Sequence, residues 1–125
     1  MKGMPRISES EWSVMQALWE AGEATANEVV KRLSDSTTWK PKTVKTLINR
    51  LVQKKAVGFE KKGREYLYRP LVSEEECKRA ESRSFLERVY GGATKPMLAA
   101  FLETERLSAD EISELKRMLD EKERK

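Results

Sequence analysis

The sequence predicts a mainly α-helical protein with one small β-hairpin. Two observations lead to this fold class: apolar residues recur at helical spacing along most of the 125 residues, and alternation replaces that spacing over residues 56–70. Charged residues make up 37% of the chain and apolar residues 38%. This apolar share is low for a self-contained monomer, and it favours a helical protein that gains core by dimerising.

Four capping boxes, in which a Ser or Thr is followed three residues later by Glu, mark the starts of helices. These boxes begin at Ser8, Thr25, Ser73 and Ser108. Pro41 and Pro96 suit the first position of two further helices. Gly22 is expected to end the first helix, and Gly91-Gly92 is expected to end the fourth. The sequence therefore predicts six helices.

The third helix is expected to run to about Lys55, where the spacing of the apolar residues changes. Segments 56–62 and 65–70 alternate and are joined around Gly63, which predicts a β-hairpin. Three helices followed by a hairpin are the order of a winged helix-turn-helix domain, which we assign to residues 1–72. Residues 73–125 are predicted to form a second domain of three helices.

The third helix has the features of a DNA-recognition helix. Its apolar face carries Val44, Leu47, Ile48 and Leu51. Residues 36–59 contain six Lys or Arg and no Asp or Glu, so nothing acidic there repels phosphate. We predict that four residues of the opposite face contact base edges: Lys42, Thr43, Thr46 and Arg50. The two cations can donate to guanine, and the two threonines can offer a hydroxyl and a methyl group to a base. A solvated basic face on a core helix is the alternative.

Contacts to DNA phosphate are predicted for the cations around this face and at the hairpin tip. These are Lys40, Lys45, Lys54, Lys55, Lys61, Lys62 and Arg64. At the tip, the alternative is that the charges keep an edge strand soluble. The indole N–H of Trp39 can also donate to a phosphate, with core packing as its alternative. Trp12 and Trp19 are expected in the core.

The three C-terminal helices each carry an apolar stripe, but three short helices are too few to enclose a core alone. We predict that these residues form a two-fold dimer interface: Phe85, Leu86, Val89, Tyr90, Met97, Leu98, Phe101, Leu102, Ile112, Leu115, Met118 and Leu119. A two-fold dimer presents two recognition helices. The expected partner is a palindromic double-stranded DNA operator, with half-sites about 34–36 Å apart or a multiple of that distance.

The composition excludes several classes of protein. The chain has no His and one Cys, which rules out a His-based zinc or triad enzyme and an intrachain disulfide. Residues 1–72 carry 14 Lys/Arg against 8 Asp/Glu, and residues 73–125 carry 11 against 13, so the basic half suits a polyanion. No cofactor, metal or small-molecule ligand is expected. No run approaches membrane-spanning length and no signal peptide is evident, so a cytoplasmic location is expected.

With these residues in place, the chain resembles the BlaI/MecI family of penicillinase repressors almost end to end. The shared motifs are I-S-x-x-E-W-x-V-M at 7–15, W-x-P-K-T-V-x-T-L-I-x-R-L at 39–51, G-R-x-Y-x-Y at 63–68, S-F-L-x-R-V-Y-x-G at 84–92 and L-S-x-x-E-I-x-E-L at 107–115. The resemblance implies a dimeric winged-helix repressor of β-lactamase or resistance genes, with Lys42, Thr43, Thr46 and Arg50 at the recognition-helix positions. It also implies a membrane sensor-protease that cuts the dimerisation domain in response to β-lactam.

The chain departs from the family pattern at two places. Ala100-Phe101 stands where the resistance repressors usually have Asn-Phe at the cleaved bond, so this bond is the candidate cleavage position. A regulator of non-resistance genes with a different inducing signal is therefore an alternative. Lys40 stands where Ser commonly caps the recognition helix, a loss of about 1 kcal/mol. The paired cysteines of the copper-responsive branch are absent, so copper sensing is not expected.

Two rival hypotheses come from other functional classes. A winged-helix module for protein interaction would need no DNA, but the acid-free third helix argues against it. A thiol-responsive regulator would use Cys77; the alternative is that Cys77 is simply a small residue on a helix face. No catalytic role is expected in any of these readings.

Overall fold

Six α-helices and a three-stranded sheet make up residues 4–125, the part of the chain that the computed structural model describes. The helices are α1 (Glu9–Ala21), α2 (Ala26–Leu33), α3 (Pro41–Gln53), α4 (Glu74–Tyr90), α5 (Thr94–Thr104) and α6 (Ala109–Arg124). The strands are β1 (Ala24–Thr25), β2 (Val57–Lys62) and β3 (Glu65–Pro70). The fold class predicted from the sequence is confirmed.

The predicted capping boxes are all formed. In α1, α2 and α6 the Ser or Thr side chain accepts from the backbone N–H three residues on, and the Glu side chain accepts from the capping residue's own N–H. The Ser73 hydroxyl likewise accepts from the N–H of Glu76 at the start of α4. Gly22 ends α1 with a φ of 83°, a conformation that glycine adopts without strain.

The sheet has the order β1-β3-β2, with both pairs antiparallel. β2 and β3 form the predicted hairpin, whose register pairs Lys62 with Glu65. Gly63, the first of the two turn residues, has a φ of 63°, which suits a tight hairpin turn. β1, whose Thr25 pairs with Leu67, is not predicted from the sequence. A two-residue strand is too short to show alternation.

A buried core joins α1, α2, α3 and the sheet. Its largest apolar members are fully enclosed: Met15, Leu18, Ile48, Leu51, Val14, Val29, Val44 and Val57. Trp12 and Trp19 pack against this core and contact each other edge to face, and the Trp19 indole N–H donates to the carbonyl of Val72 at 3.0 Å. Both tryptophans are half-buried at the edge of the core.

The chain divides into two compact units, one reaching to Glu81 and the other formed by Ser82–Lys125. The first unit includes the start of α4, because Cys77 packs into its core and Glu74 accepts from Gln16. It therefore runs past residue 72, where the sequence places the end of the DNA-binding domain. That functional boundary stays a prediction.

Helix α5 begins two residues earlier than predicted, at Thr94 rather than at Pro96. Pro96 is the third residue of the helix, where proline is tolerated because a first-turn N–H has no partner within the helix. Helix α3 ends at Gln53, two residues before the predicted Lys55. Within the described residues, no helix combines the length and the apolar composition that crossing a membrane requires.

Candidate nucleic-acid interface

Helix α3 lies with one face in the core. Val44, Leu47, Ile48 and Leu51 are all buried, as their spacing predicts. Pro41 occupies the first turn, and Lys40 stands at the N-cap without a side-chain capping hydrogen bond. Packing therefore fixes the helix from behind, and the opposite face is left to solvent.

The four predicted base-reading residues share that exposed face: Lys42, Thr43, Thr46 and Arg50. The hydroxyl of Thr46 donates to the carbonyl of Lys42 at 3.0 Å. This hydrogen bond occupies the hydroxyl proton, so the oxygen lone pairs and the methyl group remain for an outside partner. The structure brings the four residues together, and their contact with base edges stays a prediction.

Lys54 has partners inside the protein. Its ammonium donates to the carboxylate of Glu11 and, at 2.7 Å, to the carbonyl of Arg6. Glu11 is 1% exposed, so the pair joins the end of α3 to the start of α1. A buried carboxylate therefore holds this cation within the protein, and the contact of Lys54 with phosphate stays a prediction.

The Glu11 carboxyl is held in its charged form. Burial alone raises its pKa, but the hydrogen bonds from Lys54 and the Ser8 N–H, with the charge of Lys54, lower the pKa overall below its ordinary value. The sequence predicts Glu11 only as half of a capping box. Its spacing from Met15 and Leu18, at i+4 and i+7, already placed it on the apolar face of α1.

Lys55 closes the C-terminus of α3 in a left-handed conformation, with a φ of 67°. Its N–H donates to the carbonyl of Val52, and the N–H of Ala56 donates to the carbonyl of Leu51, both at 3.0 Å. This is the Schellman pattern, in which glycine is the usual residue. A lysine at this position lies in a conformation that L-residues rarely adopt.

The remaining predicted phosphate-contact lysines and arginine are exposed: Lys40, Lys45, Lys55, Lys61, Lys62 and Arg64. Three of them lie at or next to the hairpin turn, where Lys61 pairs with Tyr66 and Lys62 with Glu65. Trp39 is half-buried against the core, as expected from core packing, the alternative given for this residue. Its phosphate contact stays a prediction.

The hairpin face next to α3 is aromatic. Phe59 lies 5.3 Å from Tyr66 and 6.2 Å from Tyr68, measured between ring centroids. Beside this face, an open cleft of about 310 Å³ lies between α2, α3 and β3. Asn27 and Asn49 line the cleft, and the sequence reasoning missed both. The position of Asn49 next to Arg50 on α3 was a signal available in the sequence.

The Cys77 thiol is buried in the core of the first unit. Burial and then the charge of Glu76 raise its pKa. A thiol with a raised pKa is mostly protonated at neutral pH and reacts slowly with oxidants. The thiol-responsive hypothesis therefore lacks the reactive thiolate that it needs.

The second unit exposes most of the apolar residues predicted for the dimer interface. Exposed members are Val89, Leu98, Phe101, Leu102, Ile112, Leu115, Met118 and Leu119, and Phe101 is 46% exposed. Phe85, Tyr90 and Met97 are half-buried, and Leu86 is buried. Phe85 stacks on Phe101 with ring centroids 6.4 Å apart. The stripes of α5 and α6 thus remain largely uncovered within one chain.

The bond between Ala100 and Phe101 lies inside α5. The carbonyl of Ala100 accepts from the hydroxyl of Thr104 at 2.9 Å, and that of Phe101 accepts from the N–H of Glu105 at 2.9 Å. A protease that binds its substrate in an extended form would first have to unwind this turn. Cleavage at this bond stays a prediction.

The penicillinase repressor family matches residues 7–121. A penicillinase repressor of Bacillus licheniformis is 42% identical over 121 residues, which cover 97% of this chain and 94% of that protein. The methicillin resistance regulatory protein MecI of Mammaliicoccus sciuri is 37% identical over 116 residues, covering 93% of this chain and 94% of that protein.

A solved structure is also similar. The monomeric form of Bacillus licheniformis BlaI in complex with the blaP half-operator matches with a TM-score of 0.53 and 41% sequence identity. The match covers 61% of this chain and 93% of that chain.

Proposed function

Because the chain belongs to the penicillinase repressor family, we propose that it acts as a homodimer on a palindromic promoter operator. It is a DNA-binding transcriptional repressor, and it acts by occupying double-stranded DNA rather than by catalysis. The observation that carries the proposal is α3, with one face in the core and an exposed face that bears Lys42, Thr43, Thr46 and Arg50.

The proposed contacts fall into two classes. Arg50 and Lys42 donate to guanine O6 and N7, while Thr43 and Thr46 meet bases through oxygen or methyl groups. Lys40, Lys45, Lys55 and the hairpin-tip cations Lys61, Lys62 and Arg64 contact phosphates, which fix the register of the protein without reading sequence. Lys54 belongs to this second class too, although its ammonium also pairs with Glu11.

A second copy of the chain is the proposed cover for the apolar stripes of α5 and α6. Exposed side chains such as Phe101, Leu102 and Met118 would leave water on dimerisation, which is favourable at about 25 cal/mol per Å² of apolar surface. A two-fold pair presents two α3 helices. Each would read one half-site, with the half-sites about one helical turn or a multiple of it apart.

The regulated genes and the inducing signal are proposed from the relatives. Their names connect them with penicillinase and methicillin resistance, which supports β-lactam-response genes as targets. A membrane sensor-protease that cuts at Ala100-Phe101 would release the operator by breaking α5. A regulator of other genes with a different signal is the alternative. A cytoplasmic location follows from the proposed DNA partner.

A mobility-shift assay tests the proposal with two duplexes of equal length. One carries the promoter upstream of the protein's own gene and the other has a scrambled sequence. We expect the promoter duplex to bind at least about a thousandfold more tightly at physiological salt. Absence of binding to both duplexes would contradict DNA binding and favour the protein-interaction module.

A further inference from the structure

The cleft beside the hairpin has three walls from three different elements. Lys45 and Asn49 of α3 form one wall, Asn27 of α2 forms the second, and Arg64 and Tyr66 of the hairpin form the third. The cleft is open to solvent and holds about 310 Å³. That volume is at the lower end of the range of small-ligand sites, about 300–1,000 Å³.

Backbone pairing fixes the walls of the cleft relative to one another. β1 leads directly into α2, and its residues Ala24 and Thr25 pair with Tyr68 and Leu67 of β3. The α2 wall is therefore hydrogen-bonded to the hairpin wall. Ile48, which also lines the cleft, is 1% exposed and anchors the α3 wall in the core. The cleft is preformed by the fold.

The side chains that line the cleft are mostly hydrogen-bond donors. Lys45 and Arg64 are cations, and the carboxamides of Asn27 and Asn49 each carry two N–H donors. The Tyr68 hydroxyl carries its proton at neutral pH, as any tyrosine does, and burial and the neighbouring Tyr66 raise its pKa further. Glu65 is the one carboxylate in the lining. Such donors make most protein contacts to DNA phosphate and sugar.

We infer that this cleft seats a phosphodiester of the bound DNA strand, with Asn27 and Asn49 donating to its oxygens beside Lys45 and Arg64. The cleft lies between the exposed face of α3 and the hairpin tip, so a strand that meets both passes over it. The inference rests on the proposed DNA binding and adds two neutral contact residues to it. Because a phosphodiester is common to every sequence, the contact strengthens binding to any duplex.

A salt titration on a scrambled-sequence duplex tests the cleft without knowledge of the operator. Asn27→Ala and Asn49→Ala should each lower the affinity about threefold to tenfold, the effect of losing a typical hydrogen bond. The slope of log affinity against log salt should stay unchanged, because a neutral side chain displaces no counterion. Arg64→Gln should reduce the slope by about one. Glu65→Gln should raise the affinity, because it removes the carboxylate.

Ser113→Ala is the control, since it removes a neutral hydrogen-bonding side chain from the exposed surface of α6, outside the lining of the cleft and outside α3. It should bind the duplex as the wild-type protein does. If the wild-type chain binds the duplex but both Asn variants bind equally well, the cleft assignment is wrong and the proposed function stands. If the wild-type chain binds neither scrambled nor promoter DNA, the cleft assignment and the proposed function are both wrong.

Discussion

At the scale of single residues, Glu11 is a buried carboxylate that connects two parts of the DNA-binding unit. It accepts from the Ser8 N–H at 2.9 Å at the start of α1, and from Lys54 just beyond α3. A buried charge is stable only when it is paired and hydrogen-bonded, and both conditions hold here. The pair therefore fixes the C-terminal end of the recognition helix.

This pairing predicts a pH dependence of stability. The pKa of Glu11 is lowered in the folded state, so the pair stabilises the fold fully above the ordinary Glu pKa of about 4.3. That contribution is lost as pH falls through the lowered pKa. Urea unfolding of the wild type and Glu11→Gln should show a wild-type advantage at pH 7 that shrinks toward pH 3. A difference that stays constant over this range would contradict the assignment.

Lys54→Met should also destabilise the fold, by about 1–3 kcal/mol, because it leaves the carboxylate of Glu11 buried without its cation. The double variant Glu11→Gln/Lys54→Met should recover part of that loss, since it removes both members of the pair. Chemical unfolding at pH 7 measures all four proteins. Strictly additive losses would show that the two side chains do not interact.

Truncation of Arg50 and truncation of Lys45 are expected to change DNA affinity in different ways. Arg50→Ala should cost about 1–3 kcal/mol on the operator and relax the preference at one base pair of each half-site. Lys45→Ala should weaken binding similarly on all sequences and reduce the salt slope by about one. Equal losses for both variants on operator and scrambled duplexes would remove Arg50 from the base-reading set.

At the scale of the element, both ends of α3 carry a lysine where another residue would fold better. Lys40 occupies the N-cap, where Ser, Thr, Asp or Asn would accept a backbone hydrogen bond. Lys55 occupies the left-handed C-terminal position that favours glycine. Residues kept at a cost in stability commonly serve function, and the proposed phosphate contacts would explain both lysines.

Substitution at the two ends should separate folding from binding. Lys40→Ser and Lys55→Gly should each stabilise the fold by up to about 1 kcal/mol. Each should also lower affinity for any duplex and reduce the salt slope by about one, because one cation is lost. Urea unfolding and salt-dependent mobility shifts measure the two effects. A variant that is more stable and binds unchanged would show that its lysine meets no phosphate.

Much of the helical pattern could be predicted because its signals are local. The capping boxes at Ser8, Thr25, Ser73 and Ser108 and the proline at Pro41 each act within one helical turn. The missed features depend on partners distant in sequence. β1 exists through its pairing with β3, Lys54 is held by Glu11 from 43 positions away, and Asn27 and Asn49 line the same cleft only because the fold brings α2 and α3 together.

At the scale of the whole molecule, the two units carry the surfaces for the two predicted roles, DNA contact and dimerisation. The first presents the basic α3 and hairpin, and the second exposes apolar stripes on α5 and α6. A monomer with these stripes open to water would be prone to association. Dimerisation through the second unit would make the specificity of α3 depend on residues far along the chain.

Phe101→Asp should produce monomers, because it places a charge in the apolar surface that the proposed dimer buries. Sedimentation velocity measures the change in mass, and operator affinity should fall steeply in the same protein. Ser113→Asp is the matched control, since it adds the same charge to α6 on the side away from Ile112 and Leu115. A Phe101→Asp protein that stays dimeric would exclude Phe101 from the interface.

Selection from a pool of random duplexes tests the proposal of a two-fold sequence reader most directly. The wild-type protein should enrich a palindromic sequence whose half-sites are centred about 10–10.5 base pairs apart or a multiple of that. The Arg50→Ala variant should lose the preference at one equivalent position in each half. Failure to enrich any sequence, or enrichment of a single asymmetric site, would contradict the proposal that the protein reads DNA as a two-fold dimer.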